Sequence, residues 1–299
     1  MKKLILFVFI LSSYISAQTA GKSGLSFLKL GFGARNVAMG DLGVVNSGGD
    51  VSSLNYNPAM LARYTSPEIL FTHNQWIEDT RSEYLGVSYR LFGLPWAVGV
   101  NTTTIGGIEV RTRPGEAEGT FNANYFSGSL STGFGIARNA ALGITLKYLY
   151  EGLLSDESNG LGFDFGAAYQ SPIDGLTFGL AFRNIGTMNG LRKESTKLPS
   201  DFRLGAGYGD ILNDLNASYT VGAEVQKYLV SKDTHINFGG EFLYSDVIAL
   251  RAGYQTGFES KGLTAGLGIK WYNISFDYAY TPFLLSLGSA HTISLKFKF

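Results

Sequence analysis

Alternation with a period of two constrains this chain more than any other feature. In its last ten residues Ile293, Leu295, Phe297 and Phe299 share one face, and Thr292, Ser294, Lys296 and Lys298 share the other. Between 262 and 271, Leu263, Ala265, Leu267, Ile269 and Trp271 oppose Thr264, Gly266, Gly268 and Lys270. Between 272 and 281, Ile274, Phe276, Tyr278 and Tyr280 oppose Ser275, Asp277 and Thr281. This is the pattern of a strand with one apolar and one polar face. Similar stretches near 67–75, 82–91, 95–105, 123–134, 140–151, 160–170, 175–184, 201–209, 216–228, 234–244 and 246–256 bring the count to about 14. A β-sandwich would need far fewer strands and would bury its apolar face. Bacterial outer-membrane barrels have even strand numbers and cross with about 9–11 residues per strand. The expected fold is therefore all-β: a transmembrane antiparallel β-barrel of about 14 strands, with an N-terminal segment plugging the lumen.

Two features agree with this division. Pro67 and Pro95 open strands, Pro199 precedes one, and Pro114, Pro172 and Pro282 fall in connections, as ladder hydrogen bonding requires. Connections also alternate in length. Those at 92–94, 136–139, 171–174 and 245 are short, whereas 106–122, 152–159, 185–200 and 282–289 are long. Short periplasmic turns and longer outer loops are the usual asymmetry, which puts both mature termini on the periplasmic side of the outer membrane.

The start of the chain reads as an export signal. Lys2 and Lys3 precede the apolar run Leu4–Leu11, and Ile15-Ser16-Ala17 offers a cleavage site. The expected organisation is a signal peptide at 1–17, a plug or hatch at 18–66 and the barrel at 67–299. Residues 18–66 lack clean strand alternation, yet Phe27, Leu28, Leu30, Phe32 and Met39 are too apolar for a solvated tail. Asn57 before Pro58 is an N-capping residue ahead of proline at the first helical position. On the barrel side, inward-facing positions carry Gly at 143, 162, 166, 179, 205, 207, 222, 239, 253, 266 and 268. Small residues there let another piece of chain lie close against the wall. Inward positions also carry charges of both signs, among them Lys147, Asp164, Arg183, Arg203, Glu224, Glu241, Arg251 and Asp277. Such charges need partners or water.

The run Gly31-Phe32-Gly33-Ala34-Arg35-Asn36-Val37-Ala38-Met39-Gly40-Asp41-Leu42-Gly43-Val44, followed by Asn55-Tyr56-Asn57-Pro58-Ala59-Met60-Leu61-Ala62, resembles the N-terminal signature of the PorV/PorQ family. That family is part of a wider FadL-like set of 14-stranded barrels. The resemblance implies a plug motif comprising Gly33, Arg35, Met39, Gly40, Asp41, Asn57, Pro58 and Ala59. It also implies an outer-membrane component of the type IX secretion system. Such a barrel would bind secreted proteins with C-terminal sorting domains, or surface attachment proteins, through its extracellular loops. The alternative is FadL-like transport of hydrophobic small molecules such as fatty acids. The charged, Gly-rich lumen disfavours a long apolar tunnel.

Candidate chemistry is sparse. There is no Cys, which excludes disulfides and thiolate metal sites. The formal charge is +0, so there is no basic footprint for nucleic acid. No G-x-S-x-G elbow occurs. His73, His235 and His291 all fall near the outer rim, where three unrelated wet residues are the simpler reading than a metal or catalytic cluster. We expect no enzyme activity, no cofactor and no metal. Trp76, Tyr84, Tyr148, Tyr150, Trp271, Tyr272 and Tyr280 read as aromatic girdles against outer-membrane lipid. The apolar loop Phe283-Leu284-Leu285-Ser286-Leu287 stands at the outer mouth, and exposed apolar clusters usually meet something. Phe283, Leu284, Leu285 and Leu287 are the candidate partner- or solute-binding residues, with Arg111 and Arg113 of the 106–122 loop as a polar rim.

Overall fold

The computed structural model describes residues 23–45, 50–191 and 194–299. The expected signal peptide at 1–17 lies outside them, as do 18–22 and 46–49 of the N-terminal segment. The barrel strands are β1 (Glu68–Gln75), β2 (Thr80–Leu91), β3 (Leu94–Val110), β4 (Gly119–Ala137), β5 (Ala140–Leu153), β6 (Asp156–Gln170) and β7 (Leu176–Met188). They continue as β8 (Asp201–Leu212), β9 (Ala217–Tyr228), β10 (Thr234–Tyr244), β11 (Ile248–Gln255), β12 (Leu263–Trp271), β13 (Ile274–Pro282) and β14 (Ser289–Lys298). Each strand pairs with the next, and β1 pairs antiparallel with β14 through Ile69↔Phe297, Phe71↔Leu295 and His73↔Ile293. The ring is closed, so no edge is left with open backbone groups.

The wall is apolar outside and polar inside. Outward-facing Leu85, Leu250 and Leu267 are 47 %, 51 % and 55 % exposed, while inward-facing Thr72, Asn101, Ser131 and Asn237 are buried. Water would not tolerate such an exterior, but a bilayer does. Among the described residues no helix is long and apolar enough to cross a membrane.

Several expected loops are in fact strand. The region 106–122 was expected as a connection, but β3 continues to Val110 and β4 begins at Gly119. Gly106-Gly107 forms a bulge within the ladder, with the register shifting between Ile105 and Ile108 and Gly107 at φ +67°. Glycine supplies the extra positive-φ residue that a bulge needs. The expected 152–159 loop shrinks to a turn at Leu154 and Ser155. The stretch 185–200 holds the end of β7 and a small ribbon pairing Gly190 with Ser195.

The segment before β1 folds into short pieces. A 3-10 turn (Ser26–Lys29), α1 (Ala34–Ala38), α2 (Ser53–Tyr56) and a 3-10 helix (Pro58–Arg63) pack against inward-facing strand residues. The helix after Asn57 was expected; α1 and α2, of five and four residues, were not. Apolar side chains of the segment join the wall in separate clusters. Phe32, Val51, Leu54, Tyr56 and Leu61 meet Leu70, Tyr84 and Ala97, and Leu25, Phe27 and Leu28 meet Leu149, Met188 and Leu198. Tyr84 therefore faces inward at 3 % exposure, with its ring edge-on to Phe32, and is no girdle residue. Trp271 and Tyr272, by contrast, stand out from the wall at the short-turn end.

Phe299 donates its N–H to Pro67 at the short-turn end, whereas Gly24 donates to Lys197 at the long-loop end. The described chain thus enters at the end opposite to the C-terminus. Residue 18, where the mature chain was expected to begin on the periplasmic side, lies outside the described residues.

Candidate functional site

Inside the ring, glycine lets the segment touch the wall backbone to backbone. A Cβ on Gly253 would lie 2.1 Å from the Gly40 nitrogen, and one on Gly239 would lie 2.3 Å from the Met39 oxygen. On the opposite wall a Cβ on Gly143 would lie 2.3 Å from the Ala59 nitrogen, and one on Gly179 would lie 2.1 Å from the Val44 oxygen. None of these distances is compatible with a side chain. Gly40 itself takes φ +76° and donates to the Thr264 hydroxyl at 3.0 Å. Gly33, at φ +80°, turns the chain into α1.

Polar groups then fix the register. Asp41 accepts from the Tyr56 hydroxyl at 2.5 Å and from Arg203 at 3.0 Å. Arg203 also donates to the Asp41 carbonyl at 3.0 Å and to Glu224 at 2.6 Å. The second Glu224 oxygen accepts the N–H groups of Gly43 and Val44 at 3.2 and 3.1 Å. Tyr56 accepts the Phe32 N–H at 2.9 Å. Burial, with Asp41 beside it, pushes the Tyr56 phenol well above its usual range, so it stays a donor to Asp41. Arg35 grips Glu241 through two nitrogens, at 3.0 and 2.9 Å. Glu241 also takes Arg251, which reaches on to Asp277 at 2.7 Å. Glu241 beside Arg35 raises the Arg35 pKa further, against the effect of burial. Nearer β1, Lys296 faces Asp50 at 3.4 Å. Burial pushes the Asp50 carboxyl up, but Lys296 and Arg35 outweigh it and hold it below its usual range.

Asn57 works in both directions. Its oxygen caps the Pro58 helix by accepting from the Ala59 N–H at 3.1 Å, and its amide donates to the Val44 and Ala167 carbonyls at 2.8 and 3.1 Å. Gly33, Arg35, Met39, Gly40, Asp41, Asn57, Pro58 and Ala59 all therefore sit where the segment meets itself or the wall. Sequence reasoning missed Tyr56 as the link between Asp41 and Phe32. It also did not pair Arg203 with Glu224, whose partners are fixed by barrel register and not by spacing along one strand.

At the long-loop end the apolar loop is only partly free. Phe283 packs edge-on to Trp76, with ring centroids 5.1 Å apart, and Leu284 donates its N–H to Ser260 at 2.6 Å. Lys261 lies over the Trp76 ring at 5.2 Å and the Phe258 ring at 4.3 Å, and burial pushes its pKa down to about 8. Leu284 and Leu285 remain 64 % and 73 % exposed. Arg111 and Arg113 lie at the tip of the β3–β4 hairpin, where Arg111 pairs with Glu109 at 2.6 Å. Among the described residues no hydrogen bond or ion pair joins that tip to the 283–288 loop.

The three histidines do not converge. His73 meets Glu83 at 2.7 Å, His235 stacks on Phe258 at 3.8 Å, and His291 meets Tyr278 at 2.7 Å. Among the described residues no group of His, Cys, Asp or Glu is arranged to hold a metal.

Comparison with known proteins gives both a family and a fold. The family described as type IX secretion system membrane protein PorP/SprF matches residues 148–297, half of the chain. That region lies outside the 31–62 motif on which the PorV/PorQ resemblance rests, and PorP/SprF is the family supported. No curated protein matches. Among solved structures, the Pseudomonas putida toluene transporter TodX superposes with a TM-score of 0.63 at 12 % identity, covering 89 % of this chain and 96 % of TodX. A Pseudomonas aeruginosa FadL homologue gives 0.59 at 13 % identity, with 89 % and 97 % covered. These two likenesses concern the fold.

Proposed function

Because this chain belongs to the type IX secretion system membrane protein PorP/SprF family, we propose that its role in the outer membrane is to bind protein partners at the long-loop end. The partners would be secreted proteins with C-terminal sorting domains or surface attachment proteins. The observation that carries this reading is the exposure of Leu284 and Leu285 on a loop anchored from behind by Phe283 and Ser260. A pre-ordered apolar surface loses little entropy when a partner covers it. Arg111 and Arg113 would form a separate, polar contact on the β3–β4 hairpin tip.

Residues 18–66 act in this reading as a plug, and the PorV/PorQ-like motif marks its contacts with the wall. The short-turn end faces the periplasm. Binding requires no covalent step and no cofactor, and the outward aromatics face outer-membrane lipid. Uptake of small apolar solutes is the second reading. The likeness of fold to TodX favours it, but the ion pairs within the lumen disfavour an apolar path.

Leu284→Asp combined with Leu285→Asp should leave assembly intact, since both side chains point to solvent. Affinity capture from gently solubilised outer membranes, read by mass spectrometry, should then recover fewer partners than wild type. A loss of about tenfold is expected for two contact leucines. Undiminished capture would remove this loop from the interface. Recovery of lipid or fatty acid alone from wild type would favour the transport reading.

A further inference from the structure

At the short-turn end, beside the β4–β5 turn, lies a cavity of about 200 Å³ lined by Arg63, Arg138, Asn139 and Gln170 over a floor of Ala62 and Ala168. Among the described residues no carboxylate lines it. This sets it apart from the rest of the interior, where Arg35, Arg183, Arg203 and Arg251 each meet an acid within 3.0 Å. Arg63 donates instead to the Thr177 hydroxyl at 3.0 Å. Burial lowers its pKa with no neighbouring charge to offset the effect. A half-buried guanidinium without a counter-charge is costly. Two guanidiniums and two side-chain amides around an open cavity match the oxygens of a phosphate group.

The depth fits a membrane headgroup. Outward-facing Ile136 and Tyr169, and Ile173 in the β6–β7 turn, are exposed at this end and mark the edge of the apolar band. Arg138 and Asn139 form the turn at that rim. Gly135, Ala141, Ala168 and Gln170 lie on the lumen side of the strands whose outer side carries Ile136 and Tyr169. A phospholipid lying against Ile136 would therefore carry its phosphate to the height of this turn and reach the cavity over the two-residue Arg138-Asn139 rim.

We propose that the notch between Arg63 and Arg138 binds a phosphate oxyanion, that of a phospholipid in the leaflet at the short-turn end. Arg63 closes the Pro58–Arg63 helix, so the bound phosphate would tie the N-terminal segment to the bilayer. The inference does not depend on which partners dock at the other end.

The test uses the full-length protein in detergent, titrated with phosphatidylglycerol or with diacylglycerol and read by native mass spectrometry. Arg138→Gln is the principal variant, since its side chain is exposed in a turn and its loss should not disturb folding. Arg63→Gln is the second. Each should lower retention of phosphatidylglycerol by about tenfold, the usual effect of losing one charge-assisted hydrogen bond. Diacylglycerol, which carries no phosphate, should bind wild type and both variants alike. If inorganic phosphate displaces phosphatidylglycerol from wild type but not from the variants, the site stands and free phosphate is a competing source. If it does not, the site stands as a lipid site. Equal retention of phosphatidylglycerol by wild type and Arg138→Gln would overturn the proposal, because binding would then come from the apolar wall alone.

Discussion

Replacing Gly253 by valine should unseat the N-terminal segment while leaving the barrel folded. A Cβ at this position would fall 2.1 Å from the Gly40 nitrogen and 2.2 Å from the Met39 carbonyl carbon. Both are backbone atoms, so no rotamer change can relieve the clash. Gly40 is held against this wall by its N–H bond to the Thr264 hydroxyl at 3.0 Å, and its φ of +76° ties it to one tight conformation, so relieving the clash means pulling the segment away into the lumen. Overpacking of a fitted interior typically costs 1–3 kcal/mol, and displacing the segment also breaks the Arg35–Glu241 and Arg203–Asp41 pairs. The wall itself tolerates the change, since Gly253 pairs with Gly239 and Thr264 through the backbone alone. The native chain has no cysteine, so a single Val44→Cys, at a fully buried position, reports seating through its maleimide labelling rate. Labelling should be at least about tenfold faster beside Gly253→Val, by the opening free energy lost. Equal protection in the two backgrounds would show that the wall gives way instead.

Arg203→Met should be the most destabilising single substitution in the lumen. Arg203 is 1 % exposed and holds Asp41 and Glu224 together. Removing it leaves two buried carboxylates facing each other. Breaking one partner of such a buried set typically costs about 3–5 kcal/mol. The damage has a direction: Glu224 would keep its hold on the Gly43 and Val44 N–H groups, while Asp41 would keep its bond from the Tyr56 hydroxyl. Adding Asp41→Asn and Glu224→Gln should recover part of the loss, because the neutral amides carry no unpaired charge. The urea midpoint for labelling of Val44→Cys measures this, and should fall for Arg203→Met and rise again in the triple variant. A triple variant no better than Arg203→Met would mean that the guanidinium acts by filling space over the Tyr56 ring, 5.3 Å away, and not by charge.

Much of the wall was legible in the sequence because its information is local. Whether Leu267 faces lipid and Gly268 faces inward depends only on the two-residue period of a strand. Strand ends were less legible. The Gly106-Gly107 pair looks like the start of a loop, yet the β-branched run Thr102–Ile105, with Tyr125 paired to Thr103 and Phe121 to Ile108, holds the ladder together across it. Tyr84 was misplaced for a related reason. An aromatic near a strand end suits a girdle, but Tyr84 is the fifth residue of β2 and shares the inward face with Thr80 and Ser82, beneath Gly86 and Gly99.

The lumen divides along the same line. Its glycines and charges were visible as inward-facing positions, and Asn57-Pro58 was visible as a helix start. The sequence by itself thus determined a closed, lipid-facing wall with an interior built to accept a further piece of chain. Only the tertiary structure decided which acid meets which base. It also decided that the segment enters beside Lys197, and that Arg63 is left with a hydroxyl where its neighbours have carboxylates. Those choices depend on the stagger at which β1 closes on β14, and on the path of a segment without regular repeat. Both are long-range quantities, set by the sum of many weak contacts rather than by the period of any one strand.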